Sequence, residues 1–393
     1  MTDLDSTPLQ LVLALFIFIA GLVLAVAVKG HFRAPLSRAV ALYLWHSLFC
    51  VIYFAYVLNY GGDASGYFRM SLHPDIDFAF GTYAVRFVVS FLSQGMGLSF
   101  LGCSLVFQLF GFIGLLAFDG ALREVTWDKT RNIRLLATLI VFLPSVSFWS
   151  SGLGKDALSF CAMGLALWAA LRLKQRWWLL TIAVLLMLLV RPHMAGMLGL
   201  GLAGSFVFQR GIPLPQRMVL GGLALAAAVF LVPLGLNYAG VGADAGAEDV
   251  MQYIEGRQGH NLKGGGAVDI SSMSPPVQMF TYLFRPTLIE ARNLFSLAAA
   301  LDNTILLFLF FAGGWAMLRK PLPPHFLAHN RMFLWIYSFC AWLILAMTTA
   351  NLGIALRQKW MFAPMLIFLL ISVIGRSRYP AESDAPAIEG SNR

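Results

Sequence analysis

The chain has 393 residues, of which 59% are hydrophobic and 12% charged, and it carries a formal net charge of +9; its mean hydropathy is +0.74. A soluble domain carries roughly 25% charged residues, so this chain cannot cover a water-facing surface and the bilayer must act as its solvent. The basic balance would suggest nucleic acid only if the cations gathered in a polar domain, and they do not.

A helix needs about 20 apolar residues to cross the hydrocarbon core. The first such run, Leu9 to Val28, follows Thr2-Asp3-Leu4-Asp5 without Lys or Arg, whereas a secretory leader opens on a basic segment. It reads as a transmembrane helix with its N-terminus outside. In chain order the pattern predicts about eleven spans, at roughly 9–28, 39–58, 98–119, 134–150, 157–172, 176–190, 194–209, 218–237, 294–318, 332–350 and 359–375. The expected fold is an all-α polytopic membrane protein, one transmembrane domain over residues 1–375 with a polar, disordered cytoplasmic tail over 376–393. Cys50, Cys103, Cys161 and Cys340 lie in or beside apolar runs and read as packing residues.

With the N-terminus outside, the predicted cytoplasmic loops hold 18 of the 28 basic residues, among them Lys29, Arg33, Arg38, Arg123, Arg134, Arg172, Arg176, Arg319 and Arg331, against only six acids. This is the positive-inside bias. The basic charge is a topology signal, and nucleic acid is not an expected partner.

Three outer segments stand out: residues 59–97, the tight turns at 150–156 and 191–193, and residues 238–293. Residues 82–97 read as an interfacial or re-entrant helix, the aromatic, apolar stretch Pro275 to Glu290 as lying along the membrane surface, and residues 240–274 as a Gly-rich, polar loop.

Basic residues next to spans on the outer side run against the bias and need a reason. The spans around 134–190 are short, with about 15 apolar residues in the first, or roughly 22 Å at 1.5 Å each. Their outer ends are therefore expected to stop below the lipid surface, in a recess; bilayer thinning or tilt is the alternative. In Ser150-Ser151-Gly152-Leu153-Gly154-Lys155-Asp156 a Gly-rich turn opens a helix beside a lysine, a pattern suited to anions or to an ordinary solvated turn. The spacing is not that of a Walker loop. In Arg191-Pro192-His193, Pro192 suits a helix start, Arg191 can grip a phosphate or snorkel, and His193 can act as a base or as a polar cap.

Asp63 and Tyr67 are spaced i,i+4 in a polar, aromatic-rich loop suited to holding a sugar. His73, Asp75 and Asp77 follow without a metal-loop pattern, and no metal or cofactor is expected. Further along, Arg285, Glu290 and Arg292 precede a span that carries Asp302-Asn303, and Arg357 and Lys359 open the last one. An intramembrane acid such as Asp302 is a functional candidate or a buried partner for another helix. Together the reading places Lys155, Arg191, Arg285 or Arg292, Arg357 and Lys359 around one outer cavity, with Asp63, Asp156, Glu290 and His193 as acid–base candidates. Cations at that depth point to a lipid-linked phosphate or diphosphate and to glycosyl transfer, in which they stabilise the leaving phosphate.

The Gly62-Asp63 and Tyr67 element, the segment Pro144 to Gly199 with Phe148-Trp149-Ser150, Lys155-Asp156 and Arg191-Pro192-His193, and more weakly Arg357 to Pro364, resemble bacterial polysaccharide polymerases of O-antigen and exopolysaccharide gene clusters. The likeness covers roughly residues 40–200. Those polymerases often read Arg-Asp or Arg-Gln and then Phe-His at these turns, so Lys155 and Arg191-Pro192 depart from the pattern. The GT-C membrane glycosyltransferases are close neighbours. The resemblance implies a metal-independent inverting polymerase of the bacterial inner (cytoplasmic) membrane. It would join undecaprenyl-diphosphate-linked oligosaccharide units on the periplasmic side, with donor and acceptor both lipid-linked and a chain-length regulator as partner. By the same resemblance the cations hold the diphosphate and His193 or Asp63 deprotonates the acceptor. Two other readings stay open: a GT-C transferase using a polyprenyl-monophosphate sugar, and a lipid-linked glycan transporter or flippase, which calls for internal repeats and discontinuous helices.

Overall fold

The computed structural model describes residues 4, 6–74, 76–208, 213–219, 221–223, 225–226, 255–256, 258, 266–270, 272–319 and 330–375. Most of the expected span 218–237 and of the 240–274 loop, Asp75, and the whole tail 376–393 lie outside these residues.

The described chain is all-α, with a single isolated bridge between Ala267 and Asn351. In order it forms α1 (Pro8–Val28), α2 (Leu36–Tyr60), α3 (Asp63–Ser71), α4 (Thr82–Ser90, running into a π turn over Phe91–Gly95), α5 (Phe100–Thr126), α6 (Arg131–Val141) and α7 (Pro144–Ser150). Then follow α8 (Lys155–Ala170), α9 (Leu173–Val190), α10 (Pro192–Phe208), α11 (Pro275–Phe284), α12 (Leu294–Arg319), α13 (Arg331–Thr348), α14 (Leu352–Gln358, with a 3-10 turn Lys359–Met361) and α15 (Ala363–Val373). Among the described residues, seven helical segments are long and apolar enough to cross a membrane, and eight if the bent pair α14–α15 counts as one. The chain is thus a multi-pass α-helical membrane protein by the length and composition of its helices.

Against the eleven expected spans, the helices at 157–172 and 194–209 have only 16 and 17 residues and are not among those long enough to cross, most of 218–237 lies outside the described residues, and there are three local differences elsewhere. The 134–150 segment is two helices, because Pro144 cannot donate the hydrogen bond a continuous helix would need there. The last span starts earlier than expected and bends by 64° between Met361 and Ala363. Pro275–Phe284 buries one side, with Gln278 and Thr281 to Phe284 packed into the bundle, rather than only lying along a surface.

The centre is built on α5, α8 and α15. An α15 that is apolar on every side belongs inside the bundle, and each residue from Ala363 to Ser372 is buried. The whole of α8 from Ala157 to Ala170 is buried as well. Its backbone lies directly on α5: a Cβ on Gly114 would sit 2.7 Å from the Phe160 carbonyl oxygen, and one on Gly164 would overlap the Gly114 carbonyl. Small residues permit this approach, which supplies the packing that the hydrophobic effect does not supply between helices in lipid.

One end of the bundle is fastened by arginines. Buried Asp119 accepts from Arg38 Nη2 at 2.7 Å and Arg123 Nε at 2.9 Å. Glu124 gathers Arg33, Arg172 and Arg176. These are the cations the sequence places in cytoplasmic loops. The opposite end holds α3, α4 and the outer turns.

Candidate functional site

At that opposite end four elements converge. The N-terminal turn of α8 brings Lys155 and Asp156, the α9–α10 junction brings Arg191, α3 brings Asp63 and Tyr67, and α14 brings Arg357. Local sequence explains each placement. Gly154 takes φ +155° before the helix, and a Cβ on Gly152 would overlap the Tyr53 ring, so the glycines let the turn lie flat beneath aromatic side chains. Pro192 opens α10 and leaves Arg191 at the junction, its N–H closing onto the Met187 carbonyl at 2.6 Å.

The ion pairs form a chain. Arg191 Nη2 donates to Asp156 Oδ1 at 2.5 Å, and its Nε to Ser159 Oγ at 3.2 Å. Asp156 Oδ2 faces Arg357 Nε at 3.9 Å. Arg357 Nη1 donates to Asp63 Oδ2 at 2.7 Å. Lys155 Nζ donates to Thr82 Oγ1 at 3.1 Å. Exposure falls along this chain: the Asp63 side chain is 53% exposed, Arg357 26%, Asp156 21% and Arg191 8%. Burial works to raise the Asp63 pKa, but Arg357, with Lys155 and Arg191 beyond it, more than offsets this and holds the carboxyl below its ordinary value. Tyr67 is buried beside it, and burial together with Asp63 and Asp156 pushes its phenol up. A narrow cleft, too tight to admit water in this structure, lies beside Asp156 and Arg357, walled by Trp149, Ser150, Phe160, Trp360 and Met361.

The recess expected from short helices has a specific form here. With 16 residues, α8 is about 24 Å long. Its residues 157–170 are enclosed by other helices, so its shortness answers to its protein neighbours, and its first turn sits at the floor of the cluster.

The structure brings together Lys155, Asp156, Arg191, Arg357, Asp63 and Tyr67. The other expected residues stand apart. Lys359 does not face the cavity: it is fully buried and donates to Asn303 Oδ1 at 2.5 Å, because two residues along a helical segment it points to the side opposite Arg357. Arg285 is committed to Glu290, its Nε donating at 2.7 Å, and Glu290 also accepts from the Thr287 N–H. The Arg285 hydrogen bond, outweighing burial, holds the Glu290 carboxyl below its ordinary value. Arg292 is exposed, its backbone N–H capped by Ser296 Oγ. His193 occupies the second position of α10, partly exposed.

Several contributors were missed by the sequence reading. Tyr53 and Ser159 line the charged chain, and Trp149, Ser150 and Trp360 wall the cleft. His46, fully buried, shares a 2.9 Å hydrogen bond with Ser150 Oγ. Ser159 was findable, since it lies i+4 from Lys155 on the same helix face. His46 was findable as a lone titratable residue inside an apolar run.

No family model, no curated protein and no solved structure matches this chain.

Proposed function

We propose that the chain is a membrane glycosyltransferase that polymerises polyprenyl-diphosphate-linked glycan units at the outer face of a bacterial inner membrane. In this reading the N-terminus faces the periplasm and the C-terminus the cytoplasm. The observation that carries it is the recessed chain Asp63–Arg357–Asp156–Arg191 with Lys155 beside it, next to an aromatic-walled cleft at the end of the bundle poorer in arginine.

The roles follow from exposure. Arg357 and Lys155 are the cations placed to receive a phosphate and to stabilise the charge that grows on it as the glycosyl bond breaks. Asp63 is the more exposed acid and has one oxygen engaged by Arg357. It takes the acceptor hydroxyl proton as the new glycosidic bond forms and the electron pair leaves with the phosphate. Arg191, Asp156 and Ser159 hold the others in place. Trp149, partly exposed in the cleft wall, is the aromatic available to sugar CH groups, whereas Trp360 is buried.

A polyprenyl-monophosphate donor is the second reading, and the charge count favours it. Of the five expected cations only Lys155, Arg191 and Arg357 join the cluster. Asp63 and Asp156 offset two of those charges, leaving +1.

The test is glycan chain length in a deletion strain carrying wild type, Arg357→Ala or Asp63→Asn, with membrane levels matched. Accumulation of single lipid-linked units and loss of long polymer in the variants supports polymerisation. If the wild type instead restores the single units themselves, the chain acts earlier and the polymerase reading is wrong.

A further inference from the structure

Behind the cleft lies a second polar group that the glycosyl-transfer reading does not use. Asp302, in the middle of α12, is fully buried, and neither carboxylate oxygen has a hydrogen-bond partner among the described residues. Ser145 turns both its hydroxyl and its backbone N–H toward the carboxyl, but neither completes a hydrogen bond of ordinary geometry and the hydroxyl has no other partner among the described residues. Lys359, likewise fully buried, donates to Asn303 Oδ1 at 2.5 Å rather than to the acid, and Asn303 in turn donates to the Pro286 carbonyl at 2.9 Å.

The backbone around this group is unusual. Ser145 follows the break between α6 and α7, and Lys359 lies in the 3-10 turn at the 64° bend between α14 and α15. Two interrupted helices therefore meet at one intramembrane acid. Interrupted helices are where membrane proteins place ion sites, and a buried ionisable residue in a span is rarely without a role. The same two elements form the wall of the outer cleft: α7 presents Ser150 to the cleft and Ser145 to Asp302, while the 357–361 segment presents Arg357 and Trp360 to the cleft and Lys359 to the interior.

A carboxylate without hydrogen bonds in such surroundings is heavily penalised, and neutralisation by a proton removes the penalty. We infer that Asp302, with Ser145 and Lys359, forms an intramembrane proton-binding site one wall behind the charged cleft. Asp302 takes one proton from water and passes from −1 to neutral. Ionised, it draws Lys359 away from Asn303; protonated, it leaves Lys359 where it stands. The helices packed on α12 bring few competing groups among the described residues: α7 and α15 contribute no acid or base, α11 contributes Tyr282, and Lys359 is the cation. The inference stands whether or not the chain transfers sugars.

Infrared spectroscopy of the full chain in lipid nanodiscs tests it. As the pH is lowered, the wild type should develop a protonated-carboxyl band that moves on exchange into heavy water. The band disappears in Asp302→Asn and shifts in Ser145→Ala. If the carboxyl region of Asp302→Asn matches the wild type, Asp302 is an ionised structural partner of Lys359 and the site does not exist. Should Asp302→Asn fail to accumulate, Ser145→Ala decides alone, and an unshifted band overturns the proposal.

Discussion

Asp156 joins two arginines that arrive from distant parts of the chain, one at the α9–α10 junction and one on α14. Removing Arg191 leaves a mostly buried carboxylate short of a partner, so Arg191→Ala should cost about 3–5 kcal/mol, read as a lowered melting temperature in detergent. Adding Asp156→Asn to it should recover part of the loss, which a double-mutant cycle measures. Asp63 behaves differently with pH. Its folded pKa lies below the ordinary value of 3.8, so its contribution is fully present above that value and is lost as pH falls through the folded one. The melting-temperature gap between wild type and Asp63→Asn should be flat above about pH 4 and close in stronger acid; a gap that widens in acid would contradict the pairing. At this scale the sequence made Lys155, Asp156, Arg191, Asp63 and Arg357 visible, because each is a charge next to an apolar span. It could not separate Arg357 from Lys359, two residues apart. The i,i+2 spacing puts the two on opposite faces of any helix, a helical-phase signal that a hydropathy window does not register.

At the scale of elements, the seam where α5 meets the end of α7 and the face of α2 sets the position of the cleft. Gly111 lies under the Ser150 carbonyl and the His46 ring, and a Cβ there would overlap both. Gly111→Ala should therefore cost about 1–3 kcal/mol and displace the 150–156 turn. Gly314→Ala on α12, where a Cβ meets nothing within 4 Å, should leave stability unchanged or slightly raised. Equal melting temperatures for the two variants would mean that the seam is looser than described. The helices themselves were legible, since long apolar runs admit few alternatives. Their interruptions were legible only in part: Pro144 announces one, whereas the bend at Phe362 depends on packing around Tyr282 and Tyr337, whose hydroxyl donates to the Met361 carbonyl at 2.9 Å. The burial of α11 was not legible either, because one apolar face fits a membrane surface and a helix bundle equally well.

Taken as a whole, the molecule is asymmetric end to end: arginines clasp Asp119 and Glu124 at one pole, and a sparser, mixed set of charges occupies the other. The proposed topology, which rests on the positive-inside bias, puts the clasp in the cytoplasm. In intact cells a membrane-impermeant thiol reagent should label Asn59→Cys and spare Trp127→Cys, in a background lacking the native cysteines. The opposite pattern would invert the topology and place the cleft on the nucleotide-containing side. A further consequence follows from the complete enclosure of α8, and it concerns synthesis. This helix leaves the ribosome when only α1 to α7 are available as neighbours, while α15 and the Arg357 segment are still unmade. At roughly 5–20 residues per second, the intervening stretch takes about 10 to 40 s to produce. Throughout that interval α8 sits among lipid tails that its apolar side chains tolerate, and Asp156 waits for its second arginine. The charged chain of the site is therefore closed by a segment far along the chain from the helix that begins it.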